Sequence, residues 1–264
     1  MSFLDHLEEL RKHLIRIFIA VIIMALIAFV YSKFIFDHII FAISKPDFIT
    51  YKTLTKISGF FGAGNVLSFS NSNYNFQSLE MGEQFSTDIW MAMTFGVILA
   101  FPFILREIWK FISPALYSNE KKHAVLFLVT SSFLFFLGVL FGYYIIAPLS
   151  INFFGNYKVS DVVGNNFKLS SYISLIKTSV LASGVMFELP VIIFFLTKLG
   201  LVDSSSLKKY RKIMLIVILS ISAIITPPDI LSQIIVAIPV MGLYEMSILI
   251  ARLLEKKETA LVKK

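Results

Sequence analysis

Apolar residues form six long blocks along the chain, and short segments between the blocks carry most of its charges. A helix needs roughly 20 residues to cross the hydrocarbon core of a bilayer. The pattern therefore predicts an all-α integral membrane protein with six transmembrane helices, in one polytopic membrane domain over residues 1–264. The predicted spans cover residues 14–36, 89–105, 124–149, 172–196, 213–225 and 230–254.

The fifth block is the shortest, with only thirteen residues. At about 1.5 Å per residue it covers about 20 Å, which is less than the thickness of the bilayer core. The tight turn TPPD at 226–229 joins it to the sixth block. We therefore expect short fifth and sixth spans and a concave bundle. Prolines within or at the ends of the blocks are expected to kink its helices: Pro102, Pro148, Pro190 and Pro239.

Two segments outside the blocks have patterns of their own. One helical stripe carries Phe3, Leu4, Leu7, Leu10 and Leu14, which predicts a short helix lying on the membrane surface before the first span. Acidic residues precede the first block and no small-x-small site closes it, so we expect an anchor rather than a cleaved signal peptide. The external loop 37–88 is rich in Gly, Ser and Asn and predicts a cap with modest structure.

The basic residues are unevenly divided between the two ends of the predicted spans. Seventeen Lys and Arg residues lie on the side of the N-terminus, six lie on the other side, and Lys177 lies within a block. The positive-inside rule then predicts a multi-pass protein of the inner (cytoplasmic) membrane with both termini in the cytoplasm. This orientation explains the net charge of +7 without a nucleic-acid partner, because no separate basic domain is present.

Three ionisable residues inside the blocks are candidates for function, because charge within a bilayer is costly: Lys177, Glu188 and Glu245. Glu188 is either a carboxyl satisfied by a neighbouring helix or a polar group that faces a substrate groove. Lys177 is either paired locally or extended towards the interface, and Glu245 lies near the inner interface. Lys177 and Glu188 share a helix face about 16 Å apart, so they line one polar stripe without touching.

Several enzyme classes lack their signatures in this chain. It has no cysteine, and its histidines flank the blocks: His6, His13, His38 and His123. Neither a Ser–His dyad at depth nor an HExxH zinc site can therefore be drawn. No pair of aspartates lies deep in two blocks, and no Walker A loop is present. The sequence predicts a protein that is not an enzyme and that needs no metal or cofactor.

Five stretches distributed over the predicted spans carry a resemblance. They are HLEELRKHL at 6–14, PFILREIWKFISPALYSNEKK at 102–122, FLGVLFGYYIIAP at 136–148, FELPVI at 187–192 and AIITPPDILSQIIVAIPVMGLYE at 223–245. Together they resemble TatC, the family of the C subunit of the twin-arginine translocase. The likeness covers most of the chain except the connection over 45–82.

The resemblance implies a six-helix receptor that recognises the twin-arginine signal peptides of folded precursor proteins and exports them with the proton-motive force. It implies the single-span TatB and TatA proteins as partners, and several copies of the chain in one receptor complex within the lipid bilayer. Matched by position, the signal-peptide contacts of the family fall on Glu9, Arg11, Phe111 and Glu120. Glu188 matches a polar position in span four. Two further positions match a proline after span one and the aspartate of TPPD: Pro46 and Asp229.

Glu120 stands alone before two lysines at the predicted cytoplasmic interface. A carboxylate there can accept charge-assisted hydrogen bonds from arginine, each contributing about 1.5–3 kcal/mol. The alternative is a surface glutamate paired with Lys121 or Lys122, which contributes only about 0–1 kcal/mol. One departure from the family pattern is Trp90, which stands where many members have a lysine. No role of that lysine is therefore carried over.

Two other functions are compatible with the residues. In a small ion-coupled permease, Lys177 and Glu188 would line a solute pathway through a single chain. In a scaffold, the spans would only hold other membrane proteins together. A receptor differs from a permease because it needs a groove that opens sideways to lipid and to partner helices.

Overall fold

The computed structural model describes residues 3–60, 75–112, 124–160, 165–226 and 230–262. Helices make up most of these residues, and two strands of three residues each and the connecting turns make up the rest. The helices are α1 Phe3–Val30, α2 Ser32–Ile35, α3 Ile49–Phe60, α4 Glu83–Ile112, α5 Ala124–Phe141, α6 Ala147–Asn156, α7 Leu169–Phe187, α8 Leu189–Lys198, α9 Ser204–Lys209, α10 Arg211–Ile225 and α11 Ile230–Val262. π-helical turns over Phe36–Ile40 and Gly142–Ile146 follow α2 and α5, and the strands are β1 Asn75–Gln77 and β2 Asn166–Lys168.

Five helical segments among the described residues are long and apolar enough to span a membrane: His6–Val30, Glu83–Phe111, Val125–Asn156, Leu169–Lys198 and Ser232–Lys256. Each overlaps one of the predicted spans, so the prediction of a helical membrane protein is confirmed. The fifth predicted span corresponds to α10, which has 15 residues. The count of six spans stays a prediction.

The structure corrects three expectations about the elements. The predicted surface helix is not separate from the first span, because α1 runs without a break over 28 residues that include neither Gly nor Pro. The sixth span is not short, since α11 has 33 residues and continues through the charged segment after Leu254. The predicted loop 37–88 contains a full helix, α3, and a strand, β1.

The described residues fall into two compact units. The first comprises Met1–Phe136 with Lys158–Lys177, and the second comprises Leu137–Tyr157 with Thr178–Lys264. The prediction of one polytopic domain stays a prediction.

The first unit is built on an antiparallel contact between α1 and α4. Gly96 lies where the two helices approach each other closely, and an added Cβ would stand 2.8 Å from both Ala25 Cβ and Val21 O. A side chain at this position would therefore push the helices apart. The absence of a side chain lets the two backbones pack directly against each other.

At the N-terminal end of α4, the buried carboxylate of Glu83 joins three segments of the first unit. Glu83 Oε2 accepts the backbone N–H of Leu79 at 2.8 Å, and Oε1 accepts the N–H of Ser170 at 2.9 Å. Strands β1 and β2 pair in parallel in this region, with Phe76 opposite Phe167. Lys168 Nζ lies 2.5 Å from Glu80 Oε1, and this ion pair raises the pKa of Lys168 above its ordinary value.

The second unit has its apolar core between α8 and α11, with α9 and α10 packed on it. Tyr244 is buried in this core and donates its hydroxyl proton to Leu207 O at 2.8 Å. Gly138 and Gly142 lie so close to α7 that an added Cβ would stand 2.6 Å from a backbone oxygen of Ser183 or Ser179. The positions of these two glycines therefore require a residue without a side chain.

The four prolines named above act in two ways. Pro102 and Pro239 lie inside continuous helices, α4 and α11. Pro148 is the second residue of α6, which follows a π-helical turn, and Pro190 is the second residue of α8, which follows a break at Glu188. Proline has no N–H to continue a helical ladder, which accounts for the two interruptions.

Candidate functional site

The candidate site lies where the N-terminal part of α1 meets the C-terminal end of α4, and Glu107 is at its centre. This carboxylate is 1% exposed. Its Oε2 lies 2.8 Å from His13 Nδ1 and 3.5 Å from Arg16 Nη1, and its Oε1 lies 3.1 Å from Lys110 Nζ. A buried carboxylate is stable when it is paired and hydrogen-bonded in this way. Glu107 therefore joins the two helices at this end.

Phe111 lies one turn beyond Glu107 on α4 and is half-buried. Its ring stacks on His6 with 4.5 Å between centroids and meets the edge of His13 at 6.2 Å. Both histidines project from α1, seven residues apart on one helix face. The ring of Phe111 is thus held between two side chains of the neighbouring helix, with part of its surface open.

The other predicted contact residues have different positions. Glu9 is half-buried and lies on the α1 face of His6 and His13 by helical periodicity. Arg11 is exposed, and its position is rotated about 140° from His6 around the helix axis. Glu120 lies outside the described residues. The structure therefore brings Glu9 to the face of α1 that contacts Phe111, and it places Arg11 off that face.

Sequence reasoning missed Glu107 and His13 as members of this site. Glu107 with Lys110 has the spacing of an ordinary exposed pair on one helix. Its partner in α1 is 94 residues away, so the sequence offered no local signal of burial. The useful signal would have been a histidine and a glutamate placed directly next to the same-side ends of two predicted spans, His13 before the first and Glu107 after the second.

The arrangement is chemically suited to binding rather than to catalysis. Glu107 is too buried to touch a ligand, so it positions the helix ends. The accessible groups are an aromatic ring, a half-buried carboxylate at Glu9 and several cations on α1 and α4. No group of three or more metal-ligating side chains occurs among the residues that the structure describes.

Glu188, the predicted polar residue of span four, lies in the second unit at the break between α7 and α8. It is 8% exposed, and its N–H donates to Val185 O at 3.1 Å in a tight turn. Glu188 O in turn accepts the N–H groups of Val191 and Ile192, both at 2.9 Å. The carboxyl is therefore carried on a local irregularity of the helix, two residues before Pro190.

The remaining candidates have separate surroundings. Lys177 Nζ lies 4.9 Å from the ring centroid of Trp90, a cation–π contact within the first unit. Glu245 forms a 2.6 Å hydrogen bond with Arg211 Nη2, so this carboxylate has a local partner. Pro46 is exposed in the turn before α3. Asp229 lies outside the described residues.

Comparison with known sequences gives consistent matches along the whole chain. Residues 5–239 match the family described as Sec-independent protein translocase protein (TatC). The protein of that name from Blattabacterium sp. subsp. Periplaneta americana is 42% identical over 98% of this chain and 97% of its own length. The protein from Aquifex aeolicus is 32% identical over the full length of both chains.

Two solved structures agree with the described fold. Both are crystal structures of the twin-arginine translocase receptor TatC, one of them in DDM. They match with TM-scores of 0.68 and 0.70 at 32% sequence identity, over 94% and 93% of this chain and 98% and 99% of theirs. The family model, the relatives and the structures coincide, so this chain belongs to the TatC family of protein translocase subunits, which are membrane receptors and not enzymes.

Proposed function

We propose that this chain is the receptor and core subunit of a twin-arginine translocase, which binds twin-arginine signal peptides and exports folded proteins with the proton-motive force. The observation that carries the proposal is the half-buried Phe111 ring, which stacks on His6 one helical turn beyond the ion pairs of Glu107. The names of the related structures, which are receptors of this translocase, support it.

The binding face combines Phe111 with the carboxylates of Glu9 and Glu120, and Arg11 adds a cation from a different face of α1. The carboxylates accept hydrogen bonds from the guanidinium groups of the signal peptide. The planar guanidinium of arginine can donate two parallel hydrogen bonds to the two oxygens of one carboxylate. Phe111 supplies an apolar platform beside them. Glu107 takes no direct part, and it holds α1 and α4 at the spacing that this face requires.

The chain lies in the inner membrane with both termini in the cytoplasm and with six spans. The excess of Lys and Arg on the side of the N-terminus supports this orientation. The fifth span is α10, whose 15 residues cover about 22 Å. The partners are the single-span TatA and TatB proteins and further copies of this chain, in contact with Pro46, Asp229 and the apolar faces of the spans.

The test is the affinity of the purified chain in lipid nanodiscs for two synthetic signal peptides, one with the Arg-Arg pair and one with Lys-Lys. The Lys-Lys peptide should bind about tenfold more weakly, because lysine is a strongly hydrated point charge. Phe111→Ala should weaken binding of both peptides by about tenfold. Glu120→Gln should lose most of the preference for arginine. Phe154→Ala, which removes a half-exposed ring of the second unit, is the matched control.

The proposal fails if Phe111→Ala and Glu120→Gln bind both peptides as the parent does. Vesicles that contain the chain alone provide a second test, because uptake of a solute without partners would favour the permease and refute the receptor.

Glu188 acts after recognition in this proposal, because it belongs to the break between α7 and α8 and not to the Phe111 face. Glu188→Ala should leave the affinity for the Arg-Arg peptide within about twofold while export by the complete translocase falls. Glu245→Gln, which alters a carboxylate paired with Arg211, is the control for an unspecific effect of charge. Parallel loss of binding and export in Glu188→Ala would contradict the separation of roles.

A further inference from the structure

A pocket of about 500 Å³ lies in the first unit, at the ends of α1 and α4 remote from the Phe111 face. We call it the Asp88 pocket. Its lining combines aromatic rings, one lysine, two aspartates and several neutral polar groups. The lining residues are Ser32, Lys33, Phe36, Asp37, Phe41, Phe76, Gln77, Ser78, Gln84, Phe85, Asp88 and Leu169.

The pocket is positioned at the boundary between apolar and polar parts of the chain. Ser32, Lys33 and Asp37 follow directly after the apolar segment His6–Val30. Gln84 and Asp88 lie in the first turns of the apolar segment Glu83–Phe111. Such a boundary coincides with the depth of lipid headgroups, where polar and apolar parts of a ligand meet.

Two aromatic rings of the lining, Phe41 and Phe76, form what we call the aromatic wall of the pocket, and contacts with residues outside the lining hold them in place. Phe41 stacks on Tyr172 with 6.0 Å between ring centroids, and Phe76 lies 4.5 Å from the same ring. Tyr172 is buried and donates its hydroxyl proton to Ile40 O at 2.7 Å. Phe76 is further fixed by the pairing of β1 with β2. The rings are thus preorganised, so a ligand need not order them.

The charged groups of the pocket are available to a ligand. Asp88 lines the pocket and is half-buried, and its Oδ1 has no hydrogen-bond partner among the residues that the structure describes. Lys33 and Asp37 are exposed, and within that same part of the chain neither forms an ion pair. A carboxylate beside aromatic faces attracts an ammonium group, and a lysine attracts a phosphate.

We propose that the Asp88 pocket binds the phosphoethanolamine headgroup of a membrane lipid. The ammonium group lies at Asp88 and the aromatic wall, the phosphate lies at Lys33, and the acyl chains extend along the exposed rings of Phe34 and Phe85. Two aspartates against one lysine disfavour a purely anionic headgroup. The location at the end of two apolar helices favours a lipid over a soluble ligand.

The experiment measures lipid retained by the purified chain in native mass spectrometry. The chain is reconstituted with equal amounts of phosphatidylethanolamine, phosphatidylcholine and phosphatidylglycerol and is then extracted with mild detergent. We expect one tightly retained phosphatidylethanolamine. Phosphatidylcholine should be retained less, because its methylated ammonium cannot donate hydrogen bonds to a carboxylate.

Variants assign the retained lipid to the pocket. Asp88→Asn should lower retention about tenfold, the effect of one charge-assisted hydrogen bond, and Lys33→Gln should lower it in the same direction. The matched controls are Asp47→Asn and Lys45→Gln, which alter exposed residues outside the lining. Asp37→Asn, an exposed position, provides a second pocket variant if Asp88→Asn does not fold.

Four results would overturn the proposal, the last of them in a displacement experiment. The first is equal retention of all three lipids, and the second is retention in the pocket variants at the level of the controls. The third concerns a protein that co-purifies with the parent. If Asp88→Asn loses this protein but retains as much lipid as the parent, the occupant of the pocket is a protein and not a lipid. Soluble phosphoethanolamine at millimolar concentration should fail to displace the lipid, and displacement would refute a role of the acyl chains.

Discussion

Replacing Glu107 with Gln should loosen the contact between α1 and α4, because the substitution keeps the size of the side chain and removes its charge. The two carboxylate oxygens of Glu107 face three cationic or donating groups, from His13, Arg16 and Lys110. A glutamine has a single acceptor oxygen. Its amide N–H₂ would therefore face at least one donor.

The expected cost follows from the exposure of the three partners. Arg16 and Lys110 have side chains that are 56% and 45% exposed, so water can solvate them when the carboxylate is gone. His13 is buried, with a side chain 8% exposed, but the oxygen or the N–H₂ of a glutamine amide can replace the carboxylate at its ring nitrogen, depending on the tautomer. The loss is therefore that of one charge-assisted hydrogen bond, about 1–3 kcal/mol, and not the larger penalty of stranding a buried charge. Arg16→Gln and Lys110→Gln should each cost only about 0–1 kcal/mol.

Equilibrium unfolding by sodium dodecyl sulfate in mixed micelles can measure these differences through tryptophan emission. The chain has two tryptophans. Trp109 is 8% exposed and stacks on Phe127 at 4.7 Å, so a Trp90→Phe background leaves a single reporter two residues from Glu107. A double-mutant cycle of Glu107→Gln with His13→Gln should give a coupling energy of about 0.5–3 kcal/mol.

Two outcomes would refute this explanation. In the first, Glu107→Gln unfolds at the same detergent fraction as the parent. In the second, Lys110→Gln lowers the free energy of unfolding as much as Glu107→Gln does. The first result would mean that apolar packing alone holds these helix ends together, and the second would mean that the exposed Lys110 contributes as much as the whole carboxylate.

The other predictions use the same unfolding assay. Gly96→Ala should lower the free energy of unfolding by about 1–3 kcal/mol, because the added Cβ has no space. Gly242→Ala is the control: the space around Gly242 is open, so this substitution should be neutral or stabilising by up to about 1 kcal/mol. Equal effects of the two substitutions would contradict close helix contact at Gly96. Hydrogen bonds from Ser205 and Ser206 lower the pKa of Asp203 from its ordinary 3.8 to about 2. The depressed pKa stabilises the fold above about pH 4, and this contribution is lost as the pH falls towards 2. Asp203→Asn retains the helix cap but should abolish the loss of stability between about pH 4 and pH 2 that Asp203 causes. An unchanged dependence of the free energy of unfolding on pH in this variant would contradict the role of Asp203.

The long apolar segments were predictable because bilayer helices depend on a local property, a run of apolar residues. Five predicted spans match helical segments on this basis. The error at the N-terminus arose because the amphipathic stripe of residues 3–14 and the apolar run after it have the same helical period. No Gly or Pro separates them, so one helix satisfies both patterns.

The connection and the site were less predictable because they depend on distant pairing. β1 lies in a polar Asn- and Ser-rich segment and is a strand only because β2 pairs with it about ninety residues later. Glu107 likewise acquires its burial from α1. The resemblance directed attention to Phe111, but only the structure shows that His6 and His13 hold its ring.

The direct backbone contact at Gly96 restricts the routes by which a ligand can reach the Phe111 face. No side chain at this position can swing aside, so α1 and α4 have no gate between them through which a lipid chain or a peptide could pass. Under the proposed function, a signal peptide would therefore approach along the outer surface of the helix pair. Its apolar segment would lie against exposed apolar side chains of α1 such as Phe18 and Ile19, and the bilayer itself would form the other wall of the binding groove.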